Sequence, residues 1–436
     1  MSEKLRDSVV LFLLAFFLYN INLRPIAAGD SVPAALMPIV ILTKGGMAMD
    51  EYNQYYLDYY KKRLYGLEGI AKPYFFTPTK FGYLSSYPIA TGLFLTPFYA
   101  VPVYIYSLTH PTTAQWVFFA VVAEKISASA ITAATVVLFF LLARQLGASR
   151  LMTWMLSFAY AFGSEAWSTS SQALWQHGPG VLFVLAACLT ALRHNKSPSA
   201  KNAFLFGLLC GVSVAVRPTN FLLILPLCAW VMIKRRSYVI YYVMPLTAIA
   251  IIVGAYNMMV FGDLRGGYQG PFNAPFWEGF SGILFSPGRG LFLYFPLAIF
   301  GFLGFYKGIR EKNSFLDFYS ALLISASLQI LLFSRWYTWW GGHCFGPRYL
   351  SEIEPLMLLA AIPFFQYRHF YSKWTIFVVF LLWSVSVQAV GSFIYPMGAW
   401  NSSPQNIDNV PSRVWDWRDN PVQRDLTAFV ERYSHK

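Results

Sequence analysis

The sequence predicts an all-α polytopic membrane protein of about 11 transmembrane helices, with interfacial helices in a long first outer loop. Three observations carry that expectation. Hydrophobic residues fill 56% of the 436 positions, aromatics 19% and charged residues only 12%, a balance unsuited to a soluble globule of this length. Apolar runs of spanning or near-spanning length recur along the chain, and Lys/Arg clusters fall between alternate runs.

The first run, Val9 to Tyr19 with an extension toward Ala28, follows the charged leader Lys4, Arg6 and Asp7. It lacks a small-residue cleavage pattern and reads as a retained helix. Further runs lie near residues 117–143, 151–169, 179–193, 203–217, 219–233, 238–261, 290–306, 314–336, 351–366 and 374–395. The segment Ile89 to Tyr106 is ambiguous, because Pro88, Pro97 and Pro102 with flanking aromatics suit an interfacial or re-entrant helix as well as a span. Charge arbitrates. If that segment does not cross, Lys4/Arg6, Arg144/Arg150, Arg193/Lys196/Lys201, Lys234/Arg235/Arg236, Lys307/Arg310/Lys312 and Arg368/Lys373 all share one side. Short basic loops mark the cytoplasmic side, so the N-terminus is expected there.

Residues 1–395 then form a transmembrane domain whose first outer loop covers 28–116, and 396–436 form an extracytoplasmic tail packed on the outer face. The cytoplasmic loops are short and basic, which leaves one elaborated face on which to seek function. Cys188, Cys210 and Cys228 sit in apolar runs and Cys344 alone lies in an outer loop, so no disulfide or zinc framework is expected. Lys44, Lys61, Lys62, Arg63, Lys72, Lys80, Arg289 and Arg348 all fall outside, an excess that suits an anionic ligand such as a lipid phosphate.

Asp30, in Gly29-Asp30-Ser31-Val32-Pro33, stands where the first span reaches its far side. It or Ser31 can cap a helix running from Pro33 toward Lys44. The next piece, Met49 to Arg63, spaces Tyr52, Tyr55, Tyr56, Tyr59 and Tyr60 along a helix, which suits either the headgroup layer or packing against other outer loops.

Other outer constellations follow. Gln172, Trp175, Gln176 and His177 form a helix mouth, where a lone His is most often a hydrogen-bonded structural residue. Arg217-Pro218-Thr219-Asn220 makes a tight turn, its arginine either snorkelling or offering a planar fork to a phosphate. Ser286-Pro287-Gly288-Arg289-Gly290 opens a run and brings backbone N–H groups and Arg289 to a helix N-terminus. The run from Trp339 to Tyr349 combines Trp339, Trp340, His343 and Tyr349 with three glycines and Arg348, which fits a sugar ring and a phosphate better than an aromatic belt alone. In the tail, Arg413 to Pro421 is too polar to span and is expected to pack structurally.

No GxxxxGK[ST], HExxH or GxSxG motif occurs. The runs also lack the buried acids and paired interruptions of a secondary transporter, Glu124 and Glu165 being partial exceptions.

With GDSVPA at Gly29 to Ala34, a Pro-containing segment from Pro88 and the Arg-Pro turn at Arg217, the chain resembles the GT-C superfamily of integral-membrane glycosyltransferases. The likeness is to the polyprenyl-phosphate-sugar-dependent kind related to protein mannosyltransferases and lipid A aminoarabinose transferases. The resemblance implies an acidic catalytic residue in the first outer loop, here Asp30. It also implies a polyprenyl-phosphate-linked sugar donor, a lipid, glycan or protein acceptor, and residence in a bacterial inner (plasma) membrane among membrane lipids, with no nucleic acid partner. Asp50-Glu51 matches the family's acidic pair poorly, and Gln176-His177 stands where relatives often carry a second acid. No cofactor is firmly implied, though a divalent metal stays open.

The expected mechanism needs one base. An acceptor hydroxyl attacks the anomeric carbon as Asp30 takes its proton, and a phosphate leaves readily once cations neutralise it. Arg217, Arg289 and Arg348 are the candidate phosphate ligands, and Gln176, His177, Trp339, Trp340, His343 and Tyr349 the candidate sugar or acceptor contacts. A lipid or glycolipid transporter, and a lipid-linked glycan ligase, are the alternatives.

Overall fold

A computed structural model describes residues 2–26, 28–63, 73–267, 270–366 and 371–434, so Lys72 and Arg368 lie outside the described residues. Regular structure among the described residues is helical apart from one short hairpin. The first part comprises α1 (Glu3–Asn20), α2 (Val32–Lys44), α3 (Asp50–Arg63), an antiparallel hairpin of β1 (Phe76–Thr79) and β2 (Gly82–Ser85), and α4 (Ala90–Ser107). Then come α5 (Thr113–Gln145), α6 (Arg150–Gly163), α7 (His177–Lys196), α8 (Ala200–Val216), α9 (Phe221–Lys234) and α10 (Val239–Phe261). The last part holds α11 (Phe276–Phe285), α12 (Leu291–Tyr294), α13 (Ile299–Arg310), α14 (Leu316–Ser334), α15 (Ile353–Ala360), α16 (Ile362–Gln366), α17 (Tyr371–Ala389) and α18 (Pro421–Ser434).

Side-chain caps set several of these starts. Thr112 and Gln115 form a reciprocal capping box on α5, Ser149 caps α6 and Ser199 caps α8. Among the described residues, four helical segments are long and apolar enough to cross a membrane: Thr113–Gln145, Arg236–Phe261, Leu316–Ser334 and Lys373–Ile394. Ala200–Val216, Pro218–Lys234 and Ile353–Gln366 are shorter apolar helices.

Two expected runs are broken. Pro296 separates α12 from α13, because its ring clashes with the preceding turn and it offers no N–H to continue the ladder. The run near 351–366 is divided between α15 and α16, with Pro363 in the first turn of the second piece. The run near 151–169 also stops early, since α6 ends at Gly163 and a π-helical turn, Ala166–Ser170, follows.

Contacts gather the basic clusters at one end of the bundle. Arg150 Nε meets Asp7 Oδ2 at 2.7 Å, joining the starts of α1 and α6. Lys234 Nζ meets Asp317 Oδ2 at 2.5 Å, joining the end of α9 to the start of α14. Arg235 donates to the Asn195 carbonyl, and Gln366 Nε2 donates to the Leu146 carbonyl at 3.3 Å. The loops at the opposite end carry the polar elaboration.

At that elaborated end α4 runs antiparallel beside the first half of α5. Tyr106 stacks on Phe119 with ring centroids 4.9 Å apart, and Ser127 Oγ donates to Tyr99 Oη at 3.2 Å. With α2, these helices bury Leu36, Val40, Leu95, Tyr99 and Trp116 in a second core. The tyrosines of α3 join it by packing: Tyr52 is buried and Tyr56 meets Phe75 edge-on at 5.2 Å, while Tyr59 stays exposed.

Candidate active site

Asp30 is placed by a single 3-10 turn, Gly29–Ser31, between α1 and α2. Neither Asp30 nor Ser31 caps α2 through its side chain, so the expected capping role is not observed; Ser31 Oγ donates to the Ala28 carbonyl instead. The Asp30 carboxylate is taken up elsewhere. Its Oδ1 accepts hydrogen bonds from Tyr74 Oη and Tyr87 Oη, each at 2.8 Å, and its Oδ2 accepts from Arg348 Nη1 at 2.9 Å.

The hairpin explains the paired hydroxyls. Phe76 pairs with Ser85 at the open end of the ladder, and Tyr74 and Tyr87 stand two residues beyond each partner. Ser86 Oγ donates to the Tyr74 carbonyl at 3.0 Å and extends the pairing outward. Gly29 admits this arrangement, because a Cβ there would lie 2.6 Å from Tyr74 Oη.

Burial pushes the Asp30 carboxyl up, but the Arg348 charge and the three donated hydrogen bonds outweigh it and hold the group below its ordinary range. Burial and the neighbouring carboxylate push the Tyr74 hydroxyl well up. Asp30 is therefore an ionised acceptor and Tyr74 a protonated donor at neutral pH.

Arg348 stacks its guanidinium over Trp175 and Tyr349, at 5.2 and 5.4 Å from the ring centroids. Tyr349 in turn lies parallel to Phe333 at 4.4 Å. Gly341 and Gly342 turn the chain through positive φ, +80° and +65°, just before this segment, a conformation that glycine adopts without steric cost. Arg348, Arg289, Trp340 and Tyr349 line a recess of about 160 Å³, which includes space open to solvent.

The other two candidate arginines differ. Arg217 is buried and pairs with Glu352 and His177, whose Nδ1 lies 3.0 Å from Glu352 Oε1. Its charge is thus compensated internally, which argues against a phosphate-ligand role. Arg289 lines the recess, yet it donates to the carbonyls of Trp340 (2.6 Å), Gly288 (2.8 Å) and Gly342 (3.0 Å) and to Asn401 Oδ1 (2.6 Å). It is a clamp between loops, since those four bonds leave little of the fork for a ligand. The expected convergence at a long helix N-terminus is also absent there, because α12 has only 4 residues.

Of the expected sugar contacts, Tyr349 and Trp340 reach the recess, Trp340 with its Nε1 donating to Asp408 Oδ1 at 2.9 Å. Trp339 lines it too but is almost wholly buried against α11, where a Cβ on Gly282 would lie 2.1 Å from its ring. It is a packing residue. His343 is exposed and turned to the tail, with Nε2 at 3.0 Å from Asn406 Oδ1, and His177 is occupied by Glu352. Gln176 is half-buried at the start of α7 without capping it. Asp50 accepts from the Tyr83 N–H and Glu51 pairs with Lys44, so that pair is structural.

Tyr74, Tyr87 and Trp175 brace Asp30 and Arg348, and Glu352 holds Arg217, without any of them having been assigned a role from sequence. Glu352 and Glu354, both fully buried, also revise the view that the apolar runs lack acids. Their signal was visible as Ser351-Glu352-Ile353-Glu354 opening an otherwise apolar run. A divalent metal does not fit at Asp30, because the donor set around it is two hydroxyls and a cation; among the described residues no three or more metal-ligating side chains cluster. Comparison with protein-family models, curated proteins and solved structures gives no match.

Proposed function

We propose that the chain is an integral-membrane glycosyltransferase with about eleven crossings in a GT-C-like arrangement, moving a sugar from a polyprenyl-phosphate donor to an acceptor hydroxyl on the extracytoplasmic side. The observation that carries this reading is the Asp30–Arg348 pair, braced by two tyrosine hydroxyls and walled by Trp175 and Tyr349. α1, α5, α6, α7, α8, α9, α10, the α12–α13 pair, α14, the α15–α16 pair and α17 alternate between the basic and elaborated ends. That alternation supports the crossings.

In the mechanism, the acceptor oxygen forms a bond to the anomeric carbon as the bond from that carbon to the phosphate oxygen breaks. The hydroxyl proton passes to an Asp30 carboxylate oxygen, and the electron pair leaves with the polyprenyl phosphate. Single displacement inverts the anomeric centre, by analogy with inverting glycosidases. Arg348 is the phosphate ligand. With no donor it neutralises Asp30; a donor phosphate takes over its fork and leaves Asp30 the stronger base. The recess has no room for even a water-sized sphere in this structure, so it must open before a donor phosphate reaches Arg348.

Asp30→Asn tests the assignment. Transfer of labelled sugar in reconstituted vesicles should fall by a factor on the order of 10² to 10⁴ while the folded variant retains its lipid donor, detected by mass spectrometry of co-purifying lipids. Wild-type turnover would remove Asp30 from the role. Glu124, Glu165, Glu352 and Glu354, all buried, favour a second reading as a lipid or glycolipid transporter. In that case label crosses the vesicle membrane and no glycosidic bond forms. A lipid-linked glycan ligase is told from a single-sugar transferase by product mass.

A further inference from the structure

The C-terminal helix α18 carries three faces. Pro421 and Asp425 are buried against the protein, and Gln423, Thr427 and Glu431 form a polar side. Between them Leu426, Phe429, Val430 and Tyr433 recur at helical spacing and form an apolar stripe that is 41%, 40%, 59% and 51% exposed. An apolar stripe left this exposed by its own core gains free energy when something outside the fold covers it.

The position of α18 identifies the cover. The helix packs on the π-helical turn Val390–Ile394, which closes the membrane-length segment Lys373–Ile394. Val422 joins the core formed by Tyr294, Phe345, Val387, Val390 and Tyr395, while Asp425 Oδ1 accepts from the Gly398 N–H at 2.6 Å. The apolar exterior of that segment, with Ile376, Val379, Leu382 and Phe393 exposed, leads up to the helix. Trp415 and Trp417 stand exposed in the segment leading into α18, the residue type that settles where acyl chains meet headgroups.

We infer that α18 is an interfacial helix, lying in the headgroup layer at the elaborated end with Leu426, Phe429, Val430 and Tyr433 inserted among the lipids. It binds the bilayer as a surface element does, through a narrow apolar stripe beneath a polar face. The same tail holds the phosphate-proximal loops, since Val414 accepts from the Gly288 N–H at 2.9 Å and Asn401 from Arg289. Lipid contact at α18 is thereby connected through the tail to the recess.

Paired nitroxide labels on full-length protein test this, in nanodiscs of neutral phosphatidylcholine and a Cys228→Ser background that removes the half-buried thiol. A label at Val430→Cys should collide preferentially with membrane-soluble oxygen, and one at Glu431→Cys with a water-soluble nickel chelate, with ratios severalfold apart. Equal nickel accessibility at both sites overturns the inference. So does a Val430→Cys label shielded from both reagents or showing spin coupling between copies, which would put protein on the stripe. Monodisperse elution of both variants establishes that they fold, and a second pair at Phe429→Cys and Thr427→Cys repeats the contrast if either does not.

Discussion

Arg348 and Arg289 line the same recess and differ in what they hold. Arg348 pairs with a carboxylate and stacks on two rings, whereas Arg289 is spent on three carbonyls and one amide oxygen. The two should therefore respond differently to substitution. Arg348→Lys keeps the charge but loses the planar fork, and donor binding should weaken roughly tenfold or more at unchanged unfolding temperature. Arg289→Ala should destabilise the protein by about 3 kcal/mol, because it orphans buried carbonyls, while the folded fraction binds donor normally. Thermal unfolding in detergent set beside a donor-binding titration separates these; equal binding losses would reject the division of roles. Sequence presented the three arginines as equivalents. Burial and partners distinguish them, and those depend on contacts such as Arg217 with Glu352, 135 positions away.

At the scale of elements, long apolar helices were legible because a membrane span states its own condition, a continuous apolar stretch of sufficient length. The hairpin was not. Its strands have 4 residues each, too short for a period-two pattern to declare itself, so the register that delivers Tyr74 and Tyr87 to Asp30 had no separate signature. The tail helix allows a pH prediction. Burial pushes the Asp425 carboxyl up from 3.8 to about 6, so its folded value lies above its unfolded one. The stability it contributes to docking is full below pH 3.8 and is lost as pH rises through about 6. Hydrogen exchange along α18 should accelerate beyond the intrinsic rate between about pH 4 and 6, the interval between the two values. Asp425→Asn, which keeps an oxygen acceptor for Gly398, should abolish the excess. An identical profile in the variant would show that Asp425 does not control docking.

For the molecule as a whole, the side-chain ties at the basic end bring together clusters that sequence could only tally by loop parity. Parity depends on one decision, that α4, which packs along the first half of α5, does not cross. The orientation has a direct test. Alkaline phosphatase fused after Ser434 should be active in a bacterial host and the same enzyme fused after Lys312 inactive, because it matures only outside the reducing cytoplasm. The reverse pattern would invert the proposed placement of the site.

The bond between Asp30 and Arg348 spans 318 positions. During synthesis the first partner leaves the ribosome long before the second exists, and the intervening helices must be inserted before they meet. Under the proposed mechanism, a chain ended before Arg348 would display the Asp30 carboxylate without the guanidinium assigned to the donor phosphate. On that reading, transfer would begin only after both partners of the pair are in place, so topology itself would delay the chemistry.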